Sequence, residues 1–287
     1  MANLKELRNR ITSISSTMQI TSAMKMVSAA KLKKAQDAIE QMRPFSSKLQ
    51  DIIANVSATL DSSEGPFSQE REVKKMLIVP VTSNRGLCGG FNSGVIKEVN
   101  AIIENNKGAD VSLFTIGKKS TAAYKKTNMV KGDDIEIWND LTFANASDIA
   151  EQLMTEYLEG KWDKIVLVYN RFKNAATQVV TAEQFLPISS SEESNTDSAA
   201  TGDYIYEPQK EEILNILIPK SLKTQVFKVL LDSQASEHGA RMTAMHKATD
   251  NATELRDGLK LDYNKARQAA ITNEILEIVG GAEALND

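Results

Sequence analysis

"LIVPVTSNRGLCGGFNSG", residues 77–94, decides the fold class of this chain. A β-branched apolar run enters a loop with glycines at 86, 89, 90 and 94, and the apolar stretch "VIKEVNAIIE" (95–104) follows. Strand, glycine loop and helix in that order make an α/β unit, which many proteins use to hold a phosphate at a helix N-terminus. The spacing here fits no phosphate fingerprint. G-x-G-x-x-G finds no match among these four glycines, and a P-loop ending at Gly117-Lys118-Lys119-Ser120 would need glycine at 112, where Ser112 stands. No aspartate is placed to hold magnesium. The glycines are therefore expected to allow a tight turn and a close backbone crossing, and no cofactor is expected.

Outward from that loop the α/β pattern continues. "DVSLFTIG" (110–117) and "DKIVLVYNRF" (163–172) are further short β-rich runs, with the helical stretch "SDIAEQLMTEYLEG" (147–160) between them. Strand and helix alternating in this way predict a central α/β domain over 74–205 with a partly parallel sheet. The polar run "SSSEESNTDSAATGD" (189–203) lacks the apolar residues of a core element and is expected to be a mobile loop.

Both ends read differently. The first 43 residues hold neither Gly nor Pro, and Leu4, Leu7, Ile11, Ile14 and Met18 recur at the 3-4-3-4 spacing of a coiled-coil seam. The apolar stripe then shifts phase to Ile20, Met24 and Val27, and Pro44 is expected to kink or end the helix. From Lys220 onward there is no proline, and Met245, Ala248, Ala252, Leu255, Leu259, Tyr263, Ala266 and Ala270 form a second stripe. The expected organisation is a helix in 1–62, the central domain, and a long helix in 209–287, the two helices pairing antiparallel. Lys25, Lys31, Lys33, Lys34, Arg241 and Arg267 are expected to face outward.

Composition excludes several function classes. Net charge is −4 in 287 residues, which argues against a general nucleic-acid binder, although residues 1–48 carry nine Lys/Arg against three Asp/Glu. The single cysteine, Cys88, rules out an intramolecular disulfide and a cysteine-rich metal site. It reads as a small packed residue. His238 and His246 stand two helical turns apart and read as ordinary polar positions. No run approaches the roughly 18 apolar residues of a membrane span, and the N-terminus has no apolar signal core.

Three landmarks together carry a resemblance: "NRITSISSTMQITSAMKMVSAAKLKKAQ" (9–36), "SNRGLCGGFN" (83–92) and "ITNEILEIVGGAEAL" (271–285). In this order they resemble the gamma chain of F-type ATP synthases, over nearly the whole length. Ile271, Thr272, Glu274, Glu277, Gly281, Ala282 and Ala284 occupy the defined positions of that family's C-terminal signature. The resemblance implies an antiparallel coiled coil of the terminal helices with a Rossmann-like α/β domain at its base.

The same resemblance implies a non-catalytic rotor shaft, coupling proton-driven rotation of a c ring to ATP synthesis or hydrolysis. Its partners would be three alpha and three beta subunits, an epsilon subunit and the c ring. It would be peripheral on the cytoplasmic face of a bacterial inner membrane, touching the membrane only through the complex. Contacts coupling it to the alpha/beta ring are implied at Met24, Arg241, Gln268, Thr272 and Glu274. The last three are expected to form one polar patch. Contacts to the c ring or epsilon are implied at Tyr204, Tyr206 and Glu207, within "DYIYEP" (203–208). With Cys88 alone, the paired-cysteine redox switch of some plastid relatives is not available.

Overall fold

A computed structural model describes residues 4–57, 66–67, 71–188 and 210–283. The chain forms two compact units, one of Met1–Ala29 with Arg241–Asp287 and one of Ala30–Ala240. Two helices contribute segments to both: α1 (Leu4–Ser57) and α5 (Lys210–Glu283). Their 54 and 74 residues far exceed the roughly 11–12 of an ordinary helix. Such lengths require a partner along the apolar stripe, because isolated helical segments gain most of their stability from packing. Helix α1 does not end at Pro44, and α5 continues through Pro219. Each proline removes one N–H from the ladder without supplying a stop.

The larger unit is built on a five-stranded sheet, β1 (Lys75–Pro80), β2 (Asp110–Ile116), β3 (Val130–Asp134), β4 (Lys164–Phe172) and β5 (Gln178–Leu186). Strand order is β3-β2-β1-β4-β5, with β5 antiparallel to β4 and the other pairs parallel. Helices α2 (Phe91–Asn105), α3 (Lys118–Tyr124) and α4 (Phe143–Leu158) complete it. Alternation along β1 sorts its side chains to two faces. Met76 and Ile78 pack with Val95 and Val99 of α2 and Tyr124 of α3. Leu77 and Val79 pack with Ile149 and Leu153 of α4 and with Leu222, Val226 and Leu230 of α5. Both faces of the sheet are covered, which is why its strands read as continuous apolar runs.

The opening loop makes the tight turn expected of it, but its glycines at 86, 90 and 94 face only side chains and not a crossing backbone. Gly89 has φ 57° and Leu87 φ 63°, so the chain makes a left-handed turn before α2 begins. The closest crossing lies one connection further on. At Gly117, φ 95°, a Cβ would stand 2.1 Å from the Thr82 carbonyl oxygen.

Candidate functional site

In the smaller unit the antiparallel pairing is fixed by named side chains. Arg8 Nη2 donates to the Tyr263 hydroxyl at 3.0 Å, and its guanidinium lies 5.9 Å from the centre of the same ring. Thr253 and Arg256 reach the Met18 sulfur at 3.3 and 3.4 Å, and Thr249 meets Thr21 at 2.9 Å. As α1 rises in number α5 falls, the mark of an antiparallel pair.

The seam differs from the expected one. The 3-4 spacing of Leu4, Leu7, Ile11, Ile14 and Met18 does not change phase; it continues through Thr21, Lys25 and Ser28, all buried or half-buried. Ile20 and Val27, expected on the stripe, are 60% and 57% exposed. On α5 a line of buried and half-buried positions runs Met245, Thr249, Ala252, Arg256, Leu259, Tyr263, Ala266 and Ala270, again at alternating 4 and 3, with Ala248 and Thr253 half-buried beside it. Leu255 lies off that line and is 60% exposed. Hydropathy alone misplaced three residues because the seam carries Thr, Ser and Arg. A strict count of seven would have found it.

The residues expected to meet surrounding subunits fall in three settings. Met24 flanks the seam, half-buried, and its carbonyl accepts the Ser28 hydroxyl at 2.7 Å. Arg241, expected to face outward, is only 9% exposed, and Lys25 takes a seam position; Lys31, Lys33, Lys34 and Arg267 are exposed as expected. Gln268, Thr272 and Glu274 are all exposed on α5. Thr272 donates its hydroxyl to the Gln268 carbonyl at 2.9 Å, so those two share a face. Glu274 does not join them: two residues beyond Thr272 is about 200° round the helix, so it points nearly the opposite way. Tyr204, Tyr206 and Glu207, and the run 189–203, lie outside the described residues.

Beyond Tyr263 the register runs α5 past the start of α1. Ile271, Ile275, Leu276, Ile278 and Val279 are all exposed, up to 71% at Ile278. On the helix surface these side chains fall within one arc of about 160°.

In the larger unit, the crevice at the carboxyl ends of β1 and β4 is where this topology places ligands, because the strand order turns there. Helix α5 occupies it. The Asn170 side chain, at the end of β4, donates to the Phe91 carbonyl at 3.1 Å, and Ser236 of α5 donates to the Asn170 carbonyl at 2.9 Å. Ala240 packs on Cys88 and Phe91, and Gly239 comes so close to Ala175 that a Cβ would lie 3.1 Å from its carbonyl oxygen. Cys88 is buried, its sulfur 3.1 Å from the Asn92 amide nitrogen. The surrounding hydroxyls are engaged with one another and with backbone: Ser83 donates to the Arg85 carbonyl at 2.6 Å and Thr82 to the Ser120 oxygen at 2.8 Å.

Three tyrosines are held neutral beyond their usual range, Tyr157 by its burial. Burial raises Tyr124 to about 12, and its hydroxyl donates to Asn100 at 2.8 Å. Burial, reinforced by the Glu183 carboxylate at 2.7 Å, raises Tyr169 further still.

A family profile described as ATP synthase matches residues 3–285. The ATP synthase gamma chain of Flavobacterium johnsoniae is 64% identical over 287 residues, all of both chains. That of Christiangramia forsetii is 62% identical over the whole of both. Among solved structures, a chain of the central stalk and c ring of the Tetrahymena thermophila mitochondrial ATP synthase is 29% identical with TM-score 0.61, covering 80% of this chain and 99% of that one. A chain of the Euglena gracilis mitochondrial ATP synthase rotor, 21% identical, shares the fold with TM-score 0.68, covering 93% of this chain and 98% of that one.

Proposed function

This chain belongs to the ATP synthase gamma-chain family, and from that premise we propose how its geometry serves as the central rotor shaft of an ATP synthase. Three chemically identical catalytic sites around one shaft can differ only if the shaft presents a different face to each. Driving such a site between loose and tight states, about 1:99 to 99:1, takes roughly 5.5 kcal/mol of differential contact. A pair of unlike helices has no three-fold symmetry, so its contacts change with angle and supply that difference in turn.

The observation that carries this reading is the end of α5. An apolar side chain is left in water at Ile271, Ile275, Leu276, Ile278 and Val279. Exposed apolar surface on this scale marks a face that another protein covers. Side chains without charge can turn inside a surrounding sleeve without breaking ion pairs at each step. The alpha and beta subunits form that sleeve, and Met24, Arg241, Gln268, Thr272 and Glu274 make the coupling contacts. The c ring and epsilon subunit meet Tyr204, Tyr206 and Glu207.

The chain itself is non-catalytic. Its crevice is filled by Ser236, Gly239 and Ala240 of α5, and nucleotide is handled by the surrounding subunits. No described helix is long and apolar enough to cross a membrane. The proposed place of the chain, held through the complex, is peripheral on the cytoplasmic face of the bacterial inner membrane. Native mass spectrometry of the complex copurifying with this chain tests the assignment. One copy with three alpha and three beta subunits is expected, with the tight coupling of ATPase to proton transport lost when the chain is stripped out. A homodimer, or a partner without ATPase activity, would sink it.

A further inference from the structure

Helix α5 meets the sheet through an apolar stripe. Leu222, Val226, Val229 and Leu230 recur on one helical face and are buried in one cluster with Leu167 and Tyr169 of β4. Apolar burial is non-directional, so it holds the helix down more firmly than it fixes the roll of the helix about its own axis.

Two polar links flank that stripe. At about 100° per residue, Gln225 lies roughly 90° to one side of the stripe's centre and Lys223 roughly 70° to the other. Gln225 Nε2 donates to Glu183 Oε1 of β5 at 2.6 Å, and the Lys223 ammonium pairs with Glu151 of α4. A roll of α5 in either direction draws one link apart and crowds the other.

The links are unequal. The Glu151 side chain is 57% exposed, so its ion pair contributes little. Glu183 is half-buried and uses both carboxylate oxygens, since Oε2 accepts the hydroxyl of the buried Tyr169 at 2.7 Å. Antiparallel pairing sets Glu183 opposite Leu167, on the sheet face that α5 covers. A carboxylate there costs desolvation that an apolar residue would not, and it supplies what the stripe lacks, a strong bond with a direction.

We propose that Glu183 is a positioning residue: held by Tyr169, it sets through Gln225 the roll of α5 on the sheet, and with it the way the coupling residues further along that helix face. The inference rests on the shaft reading, in which the facing of α5 decides which contact each catalytic site meets.

The test uses the whole complex in inverted membrane vesicles at about pH 8, where carboxylates are charged. Gln225→Glu sets a second carboxylate against Glu183. The ratio of ATP-driven proton pumping to ATPase activity should fall about fivefold, the shift in population that losing one such hydrogen bond allows. Adding Glu183→Gln to Gln225→Glu exchanges donor and acceptor and leaves the Tyr169 hydroxyl an amide oxygen to meet, so the double variant should recover most of the ratio. A merely structural contact would move the melting temperature and leave the ratio alone.

A wild-type ratio in Gln225→Glu overturns the proposal, and so does a fall that the exchange does not restore. If Gln225→Glu does not assemble, Gln225→Ala decides: it removes the link without adding charge, and an unchanged ratio there is equally fatal. Failure of the shaft assignment is read separately, as the absence of the three-plus-three stoichiometry in native mass spectrometry of the wild-type complex.

Discussion

The hydroxyl oxygens of Thr21 and Thr249, 228 residues apart in the chain, lie 2.9 Å from each other inside the seam of the helix pair. Each also lies near the carbonyl one turn before it on its own helix, Met18 at 3.1 Å and Met245 at 2.8 Å. One proton bridges the pair and the other goes to backbone. A polar pair facing across the seam favours this register, because a slip breaks the hydroxyl–hydroxyl bond and leaves each hydroxyl only the carbonyl of its own helix. A double-mutant cycle with Thr21→Val and Thr249→Val should give a coupling of about 0.5–1.5 kcal/mol in denaturant unfolding. Additivity within error would show that the contact does not fix register.

Seam and surface should separate cleanly by mutation. Leu7→Ala empties a buried position and should cost about 2–5 kcal/mol. Leu255→Ser removes an exposed leucine and should change stability by no more than about 0.5 kcal/mol. Equal costs in equilibrium unfolding would refute the seam as drawn.

Gly117→Ala should be severely destabilising, on the order of 3 kcal/mol or more, because φ is positive and the new methyl would meet the Thr82 carbonyl. Gly108→Ala serves as the control, since nothing lies within 4 Å of its Cβ position. A wild-type melting temperature for Gly117→Ala would show that the β1 and β2 ends do not cross so closely.

Alkaline pH should loosen the α/β unit. The Tyr124 folded value, about 12, exceeds the ordinary 10.0, so the folded state favours the neutral phenol. The stability it contributes is complete below pH 10 and drains away as pH rises through 12. Tyr124→Phe should flatten the pH dependence of unfolding over that window, and absorbance of phenolate near 295 nm should show delayed ionisation in the native protein. Wild-type slopes in the variant would remove Tyr124 as the cause.

Met24→Lys places a charge beside the seam at a half-buried position. In inverted membrane vesicles, ATP-driven proton pumping is expected to fall by more than ATPase activity, while the assembled complex keeps its normal composition. Pumping that fell only in proportion to ATPase would argue against a coupling role for this residue.

Much of this was legible in the sequence, and the failures share a cause. The α/β alternation around residues 77–94 and the apolar ends set the architecture, because burial on one or two faces leaves a period in the chain. Apolar character misplaces the seam at Ile20, Val27 and Leu255, which are apolar and yet exposed. In this helix pair Thr21, Ser28 and Arg256 sit inside while those three face water. A protein whose outer face meets another protein carries hydrophobic residues on both sides, so hydropathy cannot tell them apart. The opposed directions of Thr272 and Glu274 follow from helical geometry alone. The filling of the crevice by α5 left no trace at all, since Ser236, Gly239 and Ala240 are distinguished only by being small.

That filling has a mechanical meaning. A fold of this kind ordinarily keeps its crevice open for a small molecule that comes and goes. Here the Ser236–Asn170–Phe91 chain of hydrogen bonds and the Gly239 crossing close it around a piece of the same polypeptide. The cleft has become a fastening, and a twisting load on α5 at that point passes directly into the strands of the sheet.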